Sequence, residues 1–142
     1  MTGYSATASV DVDAAPDRVW AALTDPGQIA EWMMGSRVES DWEVGSPITW
    51  SGEMDGKPYR DKGEVLEVEP GTRLSVTHYS PLMGGEDVPE NYHTVTYDLA
   101  PSGDGTTVRL TQDGCESEEQ AEQFSQNWQG MLDGLKKVAE GR

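Results

Sequence analysis

Cysteine occurs once in the 142 residues, at Cys115, and phenylalanine once, at Phe124. A lone thiol excludes an internal disulfide and gives no sign of an oxidising compartment. Only ten lysines and arginines stand against 26 aspartates and glutamates, a formal charge of −16. Such a field repels phosphate backbones and anionic headgroups, so nucleic acid is not an expected partner. No window approaches the roughly 18 apolar residues of a membrane span, and no basic N-terminal region leads into an apolar run. Membrane insertion is therefore not expected, and a soluble, cytoplasmic protein of one domain over residues 1–142 is. Histidine occurs twice, at His78 and His93. With Cys115 these make no metal-type spacing, and neither a G-x-S-x-G elbow nor a phosphate-cradling glycine loop is present. The residues thus point to no metal, no cofactor and no nucleophilic triad.

What the chain holds instead is acid and large, soft side chains. Acids cluster at 39–43, 86–90 and 116–122, which reads as a solvated coat, with capture of a cationic partner as the alternative. Five tryptophans, five tyrosines and six methionines accompany the single phenylalanine. Tryptophan and methionine fill irregular space and accept varied apolar shapes, so as a set they suit the wall of an adaptable cavity. Taken singly, each also suits ordinary core packing.

The order of elements is legible from periodicity. Residues 4–12, YSATASVDV, alternate Tyr4, Ala6, Ala8, Val10 and Val12 against polar neighbours, as a half-buried strand does. Pro16 suits a first helical turn, with Val19, Trp20 and Leu23 on one side and an end by Thr24. Asp25, Pro26 and Gln28 then predict a second helix start, carrying Ile29, Trp32 and Met33 inward. Both helices are too short to stand alone and must be held by packing.

From about residue 37 to 113 strands alternate with turns, at Asp55-Gly56, at Pro70-Gly71 and within GDGTT at 103–107, an antiparallel meander. One arm runs through Val65, Leu66 and Val68, and the stretch 81–90 reads as a loop. After Cys115, Ser117 and Gln120 predict a capped start for a long helix with Ala121, Phe124, Trp128, Met131, Leu132, Leu135 and Val138 in one stripe. Gly130 and Gly134 interrupt this helix, which suits a close approach of its backbone to the sheet.

Four separated motifs carry a family resemblance: APDRVWAALTDPGQIAEWM, GEVLEVEPGTRLSVTHY, TVTYDLAPSGDGTTVRLTQ and NWQGMLDGLKKVAE. In this order they resemble the family named for the activator of the heat-shock-protein-90 ATPase, within the SRPBCC superfamily. The matching positions are Val19, Trp20, Leu23, Trp32, Gly63 to Val65, Pro70, Gly105-Thr106, Trp128, Leu132 and Leu135. Asn127-Trp128 departs from the Gly-Trp common in the family, and the loop at 81–90 matches no pattern. The resemblance implies an α+β helix-grip, START-like or birch-pollen-allergen-like fold. In it a curved antiparallel sheet of about seven strands wraps a long C-terminal helix, with two short helices after strand one.

The same resemblance implies an internal cavity open to small hydrophobic molecules. Expected ligand-binding residues are Trp32, Trp50, His78, Met83, Tyr92, Phe124, Trp128 and Met131. The leading expectation is a small hydrophobic or amphipathic ligand bound without catalysis. The alternatives are a cyclase- or hydrolase-like enzyme using an acid–base pair of His78 with Glu64, or a co-chaperone-like interaction protein.

Overall fold

Alternation over residues 4–12 becomes strand β1 (Tyr4–Val12), whose Ala6, Ala8 and Val12 are buried while their neighbours are more exposed. The structure is a computed structural model that describes residues 4–33, 35–54, 56–79, 88, 92–115 and 117–141. After β1 come helices α1 (Pro16–Thr24) and α2 (Pro26–Trp32), then strands β2 (Arg37–Ser40), β3 (Pro47–Met54), β4 (Lys57–Glu69), β5 (Arg73–His78), β6 (His93–Ser102) and β7 (Gly105–Cys115), and finally helix α3 (Glu118–Glu140). Capping follows the side chains available. Asp25 accepts from the Gly27 N–H, and the Gln28 amide reaches back to the Asp25 carboxylate at 3.1 Å. Ser117 Oγ accepts from the Gln120 N–H, and Gly141 closes α3 in the left-handed conformation.

The seven strands form one antiparallel sheet in the order β1-β7-β6-β5-β4-β3-β2. β2 to β7 are a meander, and β1 closes on the last strand, Ala8 opposite Leu110. This curved sheet, the long α3 and the two short helices are the helix-grip arrangement expected. The core lies between them: Val65, Val76, Val95, Leu99, Val108 and Leu110 of the sheet meet Val19, Leu23, Ile29, Trp32, Leu132 and Leu135 of the helices. No helix among the described residues is long and apolar enough to cross a membrane.

Helix α3 also covers the free edge of β1. Thr7 N–H donates to Ser125 Oγ (3.0 Å), Gln129 Nε2 to the Ser9 carbonyl (2.9 Å), Lys136 Nζ to the Asp11 carbonyl (2.8 Å) and Asp13 N–H to Glu140 Oε2 (2.7 Å). An open strand edge is a template for unwanted pairing, and here side chains of the terminal helix take up its polar groups.

The expected approach of Gly130 and Gly134 to the sheet changes. Gly134 admits α2 rather than the sheet, since a Cβ there would sit 3.4 Å from Trp32 Cβ; Gly130 has nothing within 4 Å. Leu66 is 36% exposed because it neighbours the inward Val65, and the register shift between Val65 and Glu67 lets Val68 face the core again. Met34, Asp55 and the loop at 81–90, apart from Val88, lie outside the described residues.

Cys115 ends β7 fully buried beside Ala6 and Ala121. Burial pushes its thiol above the ordinary value, outweighing a hydrogen bond from the Ala6 backbone. A thiol reagent at neutral pH is therefore expected to label it only as fast as the chain opens, and urea should accelerate labelling steeply. A raised folded value also means that the thiol's contribution to stability is whole below about pH 9 and is lost as pH rises through that higher value. Immediate stoichiometric labelling of the native protein would contradict this placement.

Candidate functional site

Register decides which side chains share the inner face of the sheet. Val65 pairs with the buried Val76, and two-residue periodicity then sets Gly63 and Asp61 on the same face of β4. Across β3, Ile48 lies opposite Gly63 and Trp50 opposite Asp61. On the other side His78 of β5 lies opposite His93 of β6. A row of polar and aromatic groups thus crosses the inner face: Trp50, Asp61, His78, His93 and, from α3, Phe124.

The contacts along the row are specific. His78 Nε2 lies 2.9 Å from Asp61 Oδ2. An ionised carboxylate only accepts, so Nε2 carries a proton and donates it; in the neutral ring Nδ1 then keeps its lone pair. The indole of Trp50 meets the imidazole edge-on, with centroids 5.0 Å apart at 69°. His93 Nδ1 lies 2.8 Å from the Asp113 carbonyl oxygen and must donate to it. Its ring occupies the space that a Cβ on Gly114 would approach to 2.9 Å, and it meets Phe124 edge-on with centroids 6.4 Å apart. Further along α3, Trp128 meets Tyr97 at 6.4 Å and donates its Nε1–H to Gln112 Oε1. Burial pushes the Tyr97 phenol up, so it stays neutral at physiological pH.

Beneath the row the core is closed: Val65, Val76, Val95, Tyr97 and Leu110 are all at most 5% exposed. The row itself is not. The side chains of His78 and Asp61 are 26% and 16% exposed, and Trp50, Phe124, Trp128 and Met131 are half-buried. Asp61 Oδ1 is buried yet has no hydrogen-bond partner among the described residues.

The expected site residues divide accordingly. Trp50 and His78 touch each other; Phe124 and Trp128 face the row and its floor from α3; Met131 packs against the core from the same helix. Tyr92 stacks on Tyr79 with centroids 5.2 Å apart. Trp32 is buried, and its Nε1 donates to the Ala22 carbonyl at 2.7 Å, which ties α2 to α1. Met83 lies outside the described residues.

The expected pair of His78 with Glu64 does not form. Glu64 is adjacent to Val65 and so points to the opposite, exposed face, and Asp61 takes its place at the imidazole. The signal for Asp61 was present in the turn at Asp55-Gly56: a tight hairpin there sets Met54 opposite Lys57 and therefore Trp50 opposite Asp61. Among the described residues no group of three or more His, Cys, Asp or Glu side chains is placed to hold a metal ion.

Comparison with known proteins places this geometry. The model of the Activator of Hsp90 ATPase homolog 1-like protein family matches residues 13–140. A solution structure of a protein from Cytophaga hutchinsonii is 42% identical, with a TM-score of 0.86, covering 99% of this chain and 97% of that one. The Aha1 dimer from Colwellia psychrerythraea superposes with a TM-score of 0.74 at 19% identity over 96% of each chain. Ara h 8.0201 does so with a TM-score of 0.74 at 11% identity over 98% of this chain and 99% of its own, so these last two show the fold alone. No curated protein matches the chain.

Proposed function

The chain belongs to the Activator of Hsp90 ATPase homolog 1-like protein family, and from that premise we propose that it binds a small hydrophobic or amphipathic molecule between its sheet and its terminal helix. One observation carries the reading. Side chains on the inner face, which a fully closed core would bury, stay partly accessible in a band that is aromatic on both sides: Trp50 from the sheet, Phe124 and Trp128 from α3. Below that band the core is sealed, so the accessible space is bounded rather than a general looseness.

Burying about 200 Å² of apolar ligand surface against such walls is worth about 5 kcal/mol before the cost of association, enough for useful affinity without any reactive group. Binding to the folded state alone raises thermal stability by mass action. A thermal-shift series of fatty acids, sterols and aromatic polycycles is expected to raise Tm for at least one class. The rise should shrink when Trp128 is changed to Ala relative to that protein's own baseline. Flat responses throughout, together with no retained small molecule in native mass spectrometry of the freshly purified protein, would refute the reading.

A further inference from the structure

Most of the inner row is explained by packing, but the Asp61–His78 pair is not. A carboxylate serving only to hold the sheet together would be expected to use both oxygens. Here Oδ1 is buried without a partner among the described residues, an arrangement that costs stability. Apolar residues in the same place would be as stable or more so. The surviving feature of the pair is the state it imposes on the imidazole. Asp61 accepts from Nε2 across 2.9 Å, which fixes the orientation of the ring and, in the neutral imidazole, makes Nδ1 the acceptor. No other hydrogen bond to the His78 imidazole is found among the described residues, and its side chain remains 26% exposed beside the Trp50 indole. The site therefore offers one oriented acceptor at the edge of an aromatic wall.

We propose that the Asp61–His78 pair recognises a weakly acidic hydroxyl group, phenolic or enolic, on an apolar ring system, with His78 Nδ1 accepting its hydrogen bond while the rings lie against Trp50. The proposal rests on the reading that the inner face admits an apolar ligand, and it names the ligand's polar end. A carboxylic acid headgroup fits less well: as an anion it has no proton to donate, and it would meet the Asp61 charge.

The test compares 2-naphthol with 2-methoxynaphthalene and naphthalene, which share its rings and lack the donor. In the wild-type protein 2-naphthol should bind about tenfold more tightly than either, the value of one well-formed hydrogen bond. His78→Phe keeps an aromatic ring beside Trp50 and removes the acceptor. It should abolish the preference and leave the affinity for naphthalene within about twofold. A long-range proton–nitrogen spectrum of the wild-type protein should show the Nδ1 resonance of His78 moving with 2-naphthol and not with the ether. Equal affinities in the wild type, or a preference that survives in His78→Phe, would overturn the proposal without touching the pocket. If none of the three probes binds the wild type, the pocket reading fails and takes the proposal with it. The wild-type comparison stands on its own should His78→Phe fold poorly.

Discussion

Gly63→Ala is expected to lower stability by about 3 kcal/mol or more, which for a chain of this size is a fall of roughly 10 °C in Tm. The ideal Cβ at Gly63 would lie 1.8 Å from the Thr77 carbonyl oxygen, a backbone atom that no rotamer change can move aside. The strands are already pinched there. Lys62 and Tyr79 exchange backbone bonds and Val65 pairs with Val76, but between them the Glu64 N–H donates to Thr77 Oγ1 at 2.8 Å. Relief of the clash must push β5 away from β4, and Asp61 and His78 are the side chains that meet across that seam. The substitution should therefore cost more than stability. The His78 ring protons should lose their fixed chemical environment in NMR spectra of whatever folded fraction remains. Urea and thermal denaturation check the first effect; a midpoint within 2 °C of wild type would show that the seam can open without cost.

Glu140→Ala should produce the second large loss, about 2–4 kcal/mol. Its carboxylate accepts from the Asp13 N–H and from Lys136 Nζ, both at 2.7 Å, and its side chain is only 3% exposed although it lies in the last turn of α3. Removing it strands a backbone donor at the end of β1 and leaves Lys136 holding the Asp11 carbonyl alone. Deletion of a surface acid in so acidic a chain would by itself be neutral or favourable, since it relieves repulsion among like charges. The sign of the change thus separates the two roles. Destabilisation in urea, greatest for Glu140→Ala and smaller for Glu140→Gln, is the expected result. A neutral or stabilised Glu140→Ala would mean that the contact contributes nothing. Amide exchange should locate the effect, with Thr7 and Asp13 losing protection before the middle of the sheet.

These two residues illustrate what kinds of information a sequence carries. The bounds of β1 and α1 and the start of α3 were legible because each is set by a local pattern: alternation over 4–12, Pro16 at a first turn, Ser117 before a helical stripe. The four ordered motifs extended this to the arrangement of sheet and helices. The candidate site was legible only in part. Trp50 and His78 could be singled out by residue type and by their place on strands, and the structure sets them in contact. Residue type alone does not separate Asp61 from Glu64 as the partner of His78, whereas the periodicity around Val65 places Glu64 on the outer face. Val68 shares the face of Val65 for a different reason: a bulge changes the face of later residues without any mark in a single strand's pattern.

The sequence by itself determined the kind and order of the elements and which side of each is apolar, since helical and strand periods, caps and turn residues act over a few neighbouring positions. The tertiary structure alone decided that Asp61 reaches His78, that Gly63 is the point where two strands pinch, and that Ser125, Gln129, Lys136 and Glu140 cover an edge formed more than 100 positions earlier. Such meetings depend on register and on the distance between chain segments brought together by packing. Turn residues set register only between the two arms of a hairpin, and no local pattern encodes which distant segments meet.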